Sequence, residues 1–123
     1  MESENNIMEK RKYGRLASRV EIEYRKIGET PHSPVGSLAY DIGGGGVRLL
    51  AHEFVPMGAK LRVGIPLEYP MKTINAVGRV AWVQKKPYTE QYDLGLEFLD
   101  INSEDQNDLV NYVEKTLVRA NMM

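Results

Sequence analysis

Two stretches of the sequence carry groups suited to binding a negatively charged ligand. The first is a basic segment with no acidic residue between its cations, Lys10, Arg11, Lys12, Arg15 and Arg19. The second is Asp41 to Leu50, in which a carboxylate is followed by four consecutive glycines. A guanidinium group matches planar anions, and backbone without side chains lets a ligand approach closely. A basic arm that is merely solvated is the alternative, and Gly14 within it argues against a stable helix.

The glycine run interrupts two segments that read as strands. Leu38, Tyr40 and Ile42 alternate before it, and Val47 and Leu49 alternate after it. Period-two alternation is typical of half-buried strands, so we predict a strand–turn–strand corner with Asp41 at its entrance. A bulged hairpin whose glycines only bend the chain remains open as an alternative.

Two phosphate-binding loops can be excluded. A Walker A loop needs Lys and then Ser or Thr after its last glycine, whereas Val47 and Arg48 follow Gly46. The dinucleotide fingerprint needs a glycine at its sixth position, which is Arg48 when counted from Gly43. The sequence after it also reads as a strand and not as a helix.

Composition limits the function classes further. The chain has 123 residues, a formal net charge of −1 and no cysteine, which fits one domain without disulfides or thiolate metal sites. The net charge gives no general attraction to nucleic acid, so any anion site must be local. The only histidines, His32 and His52, have no partner at a metal-binding spacing, and no hydrolase motif is present. We therefore expect a protein that is not an enzyme, needs no cofactor, does not insert into membranes and resides in the cytoplasm.

The remaining pattern predicts a mainly β domain. Six alternating segments, separated by turn residues and without intervening helices, predict an antiparallel barrel over residues 18–100. In the longest segment Ile74, Ala76, Gly78, Val80 and Trp82 fall on one face, which places Trp82 in the core or at its rim.

The two ends of the chain differ from the barrel segments. A capping box beginning at Ser103 predicts a C-terminal amphipathic helix over residues 103–119. Residues 1–9 are expected to form a disordered tail, and residues 10–17 a flexible basic arm.

The arm and the glycine corner together resemble the PilZ domain family, small β-barrel domains of which many are receptors for cyclic di-GMP. The family pattern R-x-x-x-R corresponds to Arg11–Arg15, and D/N-x-S-x-x-G corresponds to Asp41–Gly46. Softer matches are V-x-W at Val80–Trp82 and G-x-x-F at Gly95–Phe98. The resemblance covers about residues 9–117 and implies a single PilZ-like domain at 10–119: a six-stranded split barrel with a C-terminal helix.

The resemblance also implies a ligand and its contacts. Arg11 and Arg15 would clamp guanine and phosphate, and Asp41 would accept hydrogen bonds from guanine N1–H and N2–H₂. The other implied contacts are of three kinds. Four glycines would form a cradle for the ligand, Lys10 and Lys12 would add positive charge for the phosphates, and Arg48 and Arg79 would be auxiliary cations. The glycines are Gly43, Gly44, Gly45 and Gly46.

One position departs from the family pattern. Gly43 stands where the pattern has serine. The lost hydroxyl hydrogen bond is worth ~0.5–1.5 kcal/mol, up to about tenfold in affinity. A backbone N–H at Gly43 that is open to a phosphate would partly offset the loss.

The functional prediction is a cyclic di-GMP receptor whose arm becomes ordered on the ligand and signals to a separate, unidentified protein. The alternative is a PilZ-fold interaction module that binds no nucleotide. A single-strand nucleic-acid binder would need exposed aromatics on a basic sheet face, which the charge of −1 disfavours. A monomer or weak dimer is expected, and Lys10 before the first arginine favours an intercalated pair of ligands over one.

Overall fold

A computed structural model describes residues 15–28, 33–68 and 70–122, with the backbone alone described for residues 15–18 and 119–122. The predicted tail over residues 1–9 lies outside the described residues, as do Lys10, Arg11 and Lys12. In the described part of the chain, no helix combines the length and the apolar character needed to cross a bilayer.

Six antiparallel strands close into a barrel, which confirms the predicted fold class. The elements in chain order are β1 (Arg15–Lys26), β2 (Val35–Gly43), β3 (Gly46–Ala51), β4 (Lys60–Glu68), β5 (Met71–Lys85), β6 (Tyr92–Asp100) and a C-terminal helix, α1 (Ser103–Met122). Strand β1 begins at Arg15, inside the range predicted for the arm. Strand β2 begins at Val35, inside the stretch that its Gly, Pro and Ser content predicted as a loop.

The strand order around the barrel is β1-β2-β3-β6-β5-β4. Strands β1 to β3 thus form one meander and β4 to β6 a second. The meanders join along two seams. The β3–β6 seam has six residue pairs, from Gly46↔Glu97 to Ala51↔Tyr92. The β1–β4 seam has four residue pairs, from Glu23↔Gly64 to Lys26↔Leu61.

Alternation along the strands builds the core. In β4, Leu61, Val63 and Ile65 are buried while their neighbours face outward. Helix α1 buries Leu109 and Val113 against the barrel, as its helical spacing predicted. Each fully buried aliphatic side chain of this kind contributes roughly 1.5–3 kcal/mol, so the fold rests on this two-face pattern.

The alternation breaks at a bulge in β2. The pairing between β2 and β3 shifts between Ala39 and Asp41, which leaves Tyr40 as an extra residue on β2. Ala39 and Ile42 are both buried, and Tyr40 and Asp41 between them are both half-buried. The prediction that Tyr40 shares a face with Ile42 is therefore wrong. A bulge adds one residue and re-aims the side chains around it.

A second bulge corrects the prediction for Trp82. The pairing between β5 and β6 shifts between Val80 and Trp82, so Ala81 is an extra residue on β5. Val80 is buried as predicted, but Trp82 turns outward and is 41% exposed. The pairing also shifts next to Gly78, where a kink was predicted.

The start of α1 differs by one residue from its prediction. The cap is Asn102 and not Ser103: Asn102 Oδ1 accepts a hydrogen bond from Asp105 N at 2.7 Å, and Asn102 O accepts one from Gln106 N at 2.9 Å. Asparagine caps helices at least as well as serine, so either residue type could have capped α1. The cap lies one position earlier than the sequence pattern predicted, at Asn102. The side chain of Gln106 is thereby free to donate through Nε2 to Gly44 O at 2.9 Å.

Lys72, at the start of β5, forms ion pairs with carboxylates in the first turns of α1. Its Nζ lies 2.9 Å from carboxylate oxygens of both Asp105 and Asp108, and 3.8 Å from Glu104 Oε1. Asp105 is buried. Hydrogen bonds to Asp108 and then to Asp105 raise the pKa of Lys72 above its usual value.

We expect Lys72→Met to loosen α1, because Asp105 would remain buried without its cation. Thermal unfolding followed by circular dichroism should show a lower Tm than for wild type and for Lys115→Met on the exposed face of α1. A raised pKa means that the contribution of Lys72 is complete below the unfolded value of about 10.4 and is lost as pH rises through the folded value. The Tm difference should thus be constant from about pH 6 to about pH 9. Equal Tm values for the two variants would contradict the assignment.

Candidate functional site

The outer face of the barrel carries a row of paired residues that runs across four strands. Asp41 pairs with Arg48, Arg48 with Gly95, and Gly95 with Trp82. Around this row lie the other members of what we term the outer patch, which comprises Arg19, Tyr40, Asp41, Arg48, Trp82, Lys86 and Asp93. The bulges of β2 and β5 expose Tyr40 and Trp82 here, so the patch depends on departures from regular strand pairing.

Arg48 lies between two carboxylates at the centre of the outer patch. Its Nε is 3.3 Å from Asp41 Oδ2, and its Nη1 is 4.0 Å from Asp93 Oδ2. The exposed fractions of the side chains are 37% for Arg48, 30% for Asp41 and 15% for Asp93. Arg48 Nε and Asp93 Oδ1 are both buried and both lack a hydrogen-bond partner. Asp41 is the more exposed of the two carboxylates and is the acceptor that a ligand can reach. The centre of the patch is therefore suited to a ligand with N–H donors.

Tyr40 gathers three cations around its ring. Arg48 Cζ lies 5.0 Å from the ring centroid, Arg19 Cζ 5.9 Å and Lys86 Nζ 5.8 Å. A cation within about 6 Å of a ring centroid is attracted by the electrons of the ring face. The outer patch thus has carboxylates at its centre, and its other cations, Arg19 and Lys86, lie around the ring of Tyr40.

The glycine corner borders the outer patch where β2 turns into β3. Two of its carbonyls are used internally: Gly44 O accepts from Gln106 of α1, and Gly45 O accepts from the backbone N–H of Phe98 at 2.9 Å. Gly46 packs so closely on β6 that a Cβ atom there would lie 2.2 Å from Leu96 O. Gly45 is the exposed residue of the corner. Close packing on β6 therefore explains why position 46 is glycine. The role of the glycines as a ligand cradle stays a prediction.

Strand β1 brings the predicted arm to this corner. Arg15, its first residue, pairs with Gly43, and Ala17 pairs with Asp41. The backbone of the second arginine of the R-x-x-x-R pattern thus lies beside the D/N-x-S-x-x-G pattern, although 28 positions (43 minus 15) separate Arg15 from Gly43 in the sequence.

The sequence profile of the PilZ domain matches residues 9–115 of the chain. The chain belongs to the PilZ domain family. A comparison with curated proteins gives no match.

Solved structures with the same fold support the architecture of this PilZ domain. It is similar to the Bacillus subtilis inhibitor of motility MotI/DgrA, at 22% identity and a TM-score of 0.75, covering 89% of this chain and 52% of that chain. It is also similar to the PilZ domain of YcgR from Escherichia coli with c-di-GMP, at 14% identity and a TM-score of 0.64, covering 92% and 98% of the two chains. A third is the PlzA protein of Borreliella burgdorferi in complex with c-di-GMP, at 12% identity and a TM-score of 0.55, covering 98% and 57%.

The structure brings some predicted site residues together and separates others. Asp41, Arg48 and the glycine corner are neighbours. Arg79, predicted as an auxiliary cation, lies outside the outer patch and pairs with Glu97 at 2.9 Å. The described residues contain no group of three or more His, Cys, Asp or Glu side chains that could hold a metal ion.

Sequence reasoning missed four members of the outer patch, and they share one property: none belongs to the family patterns. The four are Arg19, Tyr40, Lys86 and Asp93. Arg19 belongs to the basic segment noted in the sequence, but nothing in the pattern places Arg19 or Lys86 beside Tyr40. The register of the two bulged strands, which brings them together, could not be read from alternation.

Trp82 lies across Gly95, and this contact can be tested because Trp82 is the single tryptophan. A Cβ atom at position 95 would lie 2.0 Å from Trp82 Nε1 and 2.3 Å from its Cε2. We expect Gly95→Ala to push the indole into solvent and shift its fluorescence emission to the red. The change in unfolding free energy should be small, because the ring is at the surface and can move. Gly36→Ala is the matched control, since a Cβ atom there meets nothing within 4 Å. Unchanged emission of Gly95→Ala would contradict the described contact.

Proposed function

We propose that this PilZ domain is a receptor for cyclic di-GMP that reports binding through its N-terminal arm to a separate protein. The observation that carries the proposal is the position of Asp41. Its carboxylate lies on the outer face, is paired with Arg48, and lies beside the corner at which the arm enters the barrel. Catalysis, a cofactor and nucleic acid have no part in this proposal.

The acidic centre of the outer patch fits the edge of guanine. Guanine offers the donors N1–H and N2–H₂ to a carboxylate, whereas adenine has no such pair on that edge. Asp41 would take these donors while Arg48 holds its other side, so the carboxylate is presented in one orientation. Charge-assisted hydrogen bonds of this kind are about twice as strong as neutral ones.

The arginines would supply the phosphate and base contacts. The backbone of Arg15 pairs with Gly43 of the glycine corner, and Arg11 is only four positions before Arg15 in the sequence. A guanidinium group can bind phosphate oxygens or the O6/N7 edge of guanine bidentately. Ligand binding would order the arm over the patch up to Arg15, where β1 begins, and the partner would recognise the ordered arm.

The relatives make the proposal specific enough to test. YcgR and PlzA were solved with c-di-GMP, and MotI is named as an inhibitor of motility. Motility proteins are therefore the first place to look for a partner, although this chain spans about half the length of MotI. We propose a cytoplasmic protein that is a monomer or weak dimer.

The deciding experiment is a calorimetric titration with cyclic di-GMP, with cyclic di-AMP as the ligand control and Arg15→Ala as the variant. We expect saturable binding of cyclic di-GMP, none of cyclic di-AMP, and loss of binding in Arg15→Ala. The stoichiometry distinguishes one ligand from an intercalated pair. Absence of heat at millimolar ligand would reject the receptor.

The second candidate function is an interaction module without a nucleotide, and Gly43 in place of serine favours it. The same titration decides between the two. A wild type that binds no cyclic di-GMP, together with a Gly43→Ser variant that does, would support the module and assign the missing affinity to this position.

A further inference from the structure

Arg19 and Lys86 differ from Arg48 in having no carboxylate. Arg48 is paired with Asp41 and Asp93. Within the described part of the chain, no acidic side chain lies within 4 Å of Arg19 or of Lys86, and the contact that fixes each is the ring of Tyr40. Like charges around one ring repel each other, and a bound anion would remove that repulsion.

Bulges in β1 and β2 place Arg19 at Tyr40. The pairing of β1 with β2 shifts between Ala17 and Val20, a bulge that includes Arg19. It lies opposite the bulge at Tyr40 on β2. Coincident bulges on neighbouring strands re-aim both side chains at the same point of the outer face.

Lys86 reaches the ring from the other meander, on a turn that is fixed by hydrogen bonds. Its N–H donates to Gln91 O at 2.9 Å, and its carbonyl accepts from Thr89 Oγ1 at 2.9 Å. The turn thus holds the backbone of Lys86 in place while the side chain remains free to follow a ligand.

We propose that Arg19 and Lys86, held at Tyr40, form a phosphate subsite of the barrel itself, separate from the arginines of the arm. Each cation lies within 6 Å of the same ring centroid on a flexible side chain, so both can turn toward a phosphate bound beside the positive edge of the ring. This inference rests on the proposed function, because the phosphate in question is one of the two in cyclic di-GMP. It adds that the ligand extends from Asp41 across Tyr40 to the β5–β6 turn.

The test measures cyclic di-GMP affinity at two salt concentrations for Arg19→Gln, Lys86→Gln and the double variant. The matched controls are Arg25→Gln on the same strand and Lys85→Gln next to Lys86, both exposed and outside the patch. We expect about tenfold weaker binding for each single variant, since charge-assisted hydrogen bonds to phosphate are strong. The salt dependence should also flatten, because fewer charges meet the ligand. The controls should bind within about twofold of wild type.

Binding of the double variant within twofold of wild type, with the same salt dependence, would overturn the subsite and leave the receptor standing. If wild type binds no cyclic di-GMP, the receptor fails and inorganic pyrophosphate becomes the probe. Pyrophosphate-induced shifts of the Tyr40 ring in NMR spectra, absent in the double variant, would then support the subsite, and their absence in wild type would overturn it. Thermal unfolding of each variant checks that the barrel is intact.

Discussion

Gly46→Ala is expected to destabilise the barrel by about 1–3 kcal/mol or more, in the range of an overpacked core. A Cβ atom at this position would lie 2.2 Å from Leu96 O and 3.3 Å from Glu97 Cα. Both are backbone atoms of β6, which cannot move aside without breaking the six-pair seam between β3 and β6. The residue is glycine because two backbones meet there.

Urea unfolding of three alanine variants tests this explanation. Gly36→Ala should stay within about 0.5 kcal/mol of wild type, as an addition on an open surface should. Gly95→Ala should cost little, because its obstacle is a movable indole. A Gly46→Ala protein as stable as Gly36→Ala would contradict the described approach of the two strands.

Asp41→Asn is expected to weaken cyclic di-GMP binding by about a hundredfold. A carboxylate that accepts two guanine donors makes two charge-assisted hydrogen bonds, each worth ~1.5–3 kcal/mol. The amide of asparagine keeps the shape but turns one acceptor into a donor, which would face guanine N–H. The variant also leaves Arg48 with Asp93 alone, so its unfolding free energy should be measured beside its affinity.

Asp100→Asn is the charge-matched control for that variant, because Asp100 is exposed at the far end of β6. It should bind as wild type does. Asp41→Asn should also lose the preference for cyclic di-GMP over cyclic di-AMP. Retained affinity and preference in Asp41→Asn would remove Asp41 from the proposed contacts and with it the guanine-reading role.

Much of the fold could be predicted from the sequence because alternation and turn residues are local signals. Leu61, Val63 and Ile65 indicated a strand and are buried together. The apolar spacing of Leu109 and Val113 indicated the helix that covers the barrel. These features require only that the backbone follow its regular period.

The outer patch could be predicted only in part, because bulges carry no comparable local signal. Asp41 and the glycines were identified by their pattern. Tyr40 and Trp82 were assigned to the wrong face, because one extra residue in β2 and one in β5 reverse the alternation. Arg19 meets Tyr40 through opposed bulges in the neighbouring strands β1 and β2, and Lys86 reaches Tyr40 from a turn of the other meander.

The order of the strands has a consequence for how this protein assembles. Each meander consists of strands that are neighbours in sequence and can form by short loop closures. The two seams instead join residues 35 positions (Lys26↔Leu61) to 51 positions (Gly46↔Glu97) apart, and closing them costs more chain entropy. The pair Arg48↔Gly95 belongs to one of these seams. Neither half of the chain therefore contains the whole outer patch. Cutting the β3–β4 connection would divide the site between two fragments. Recovery of the site would then show that the two fragments had associated.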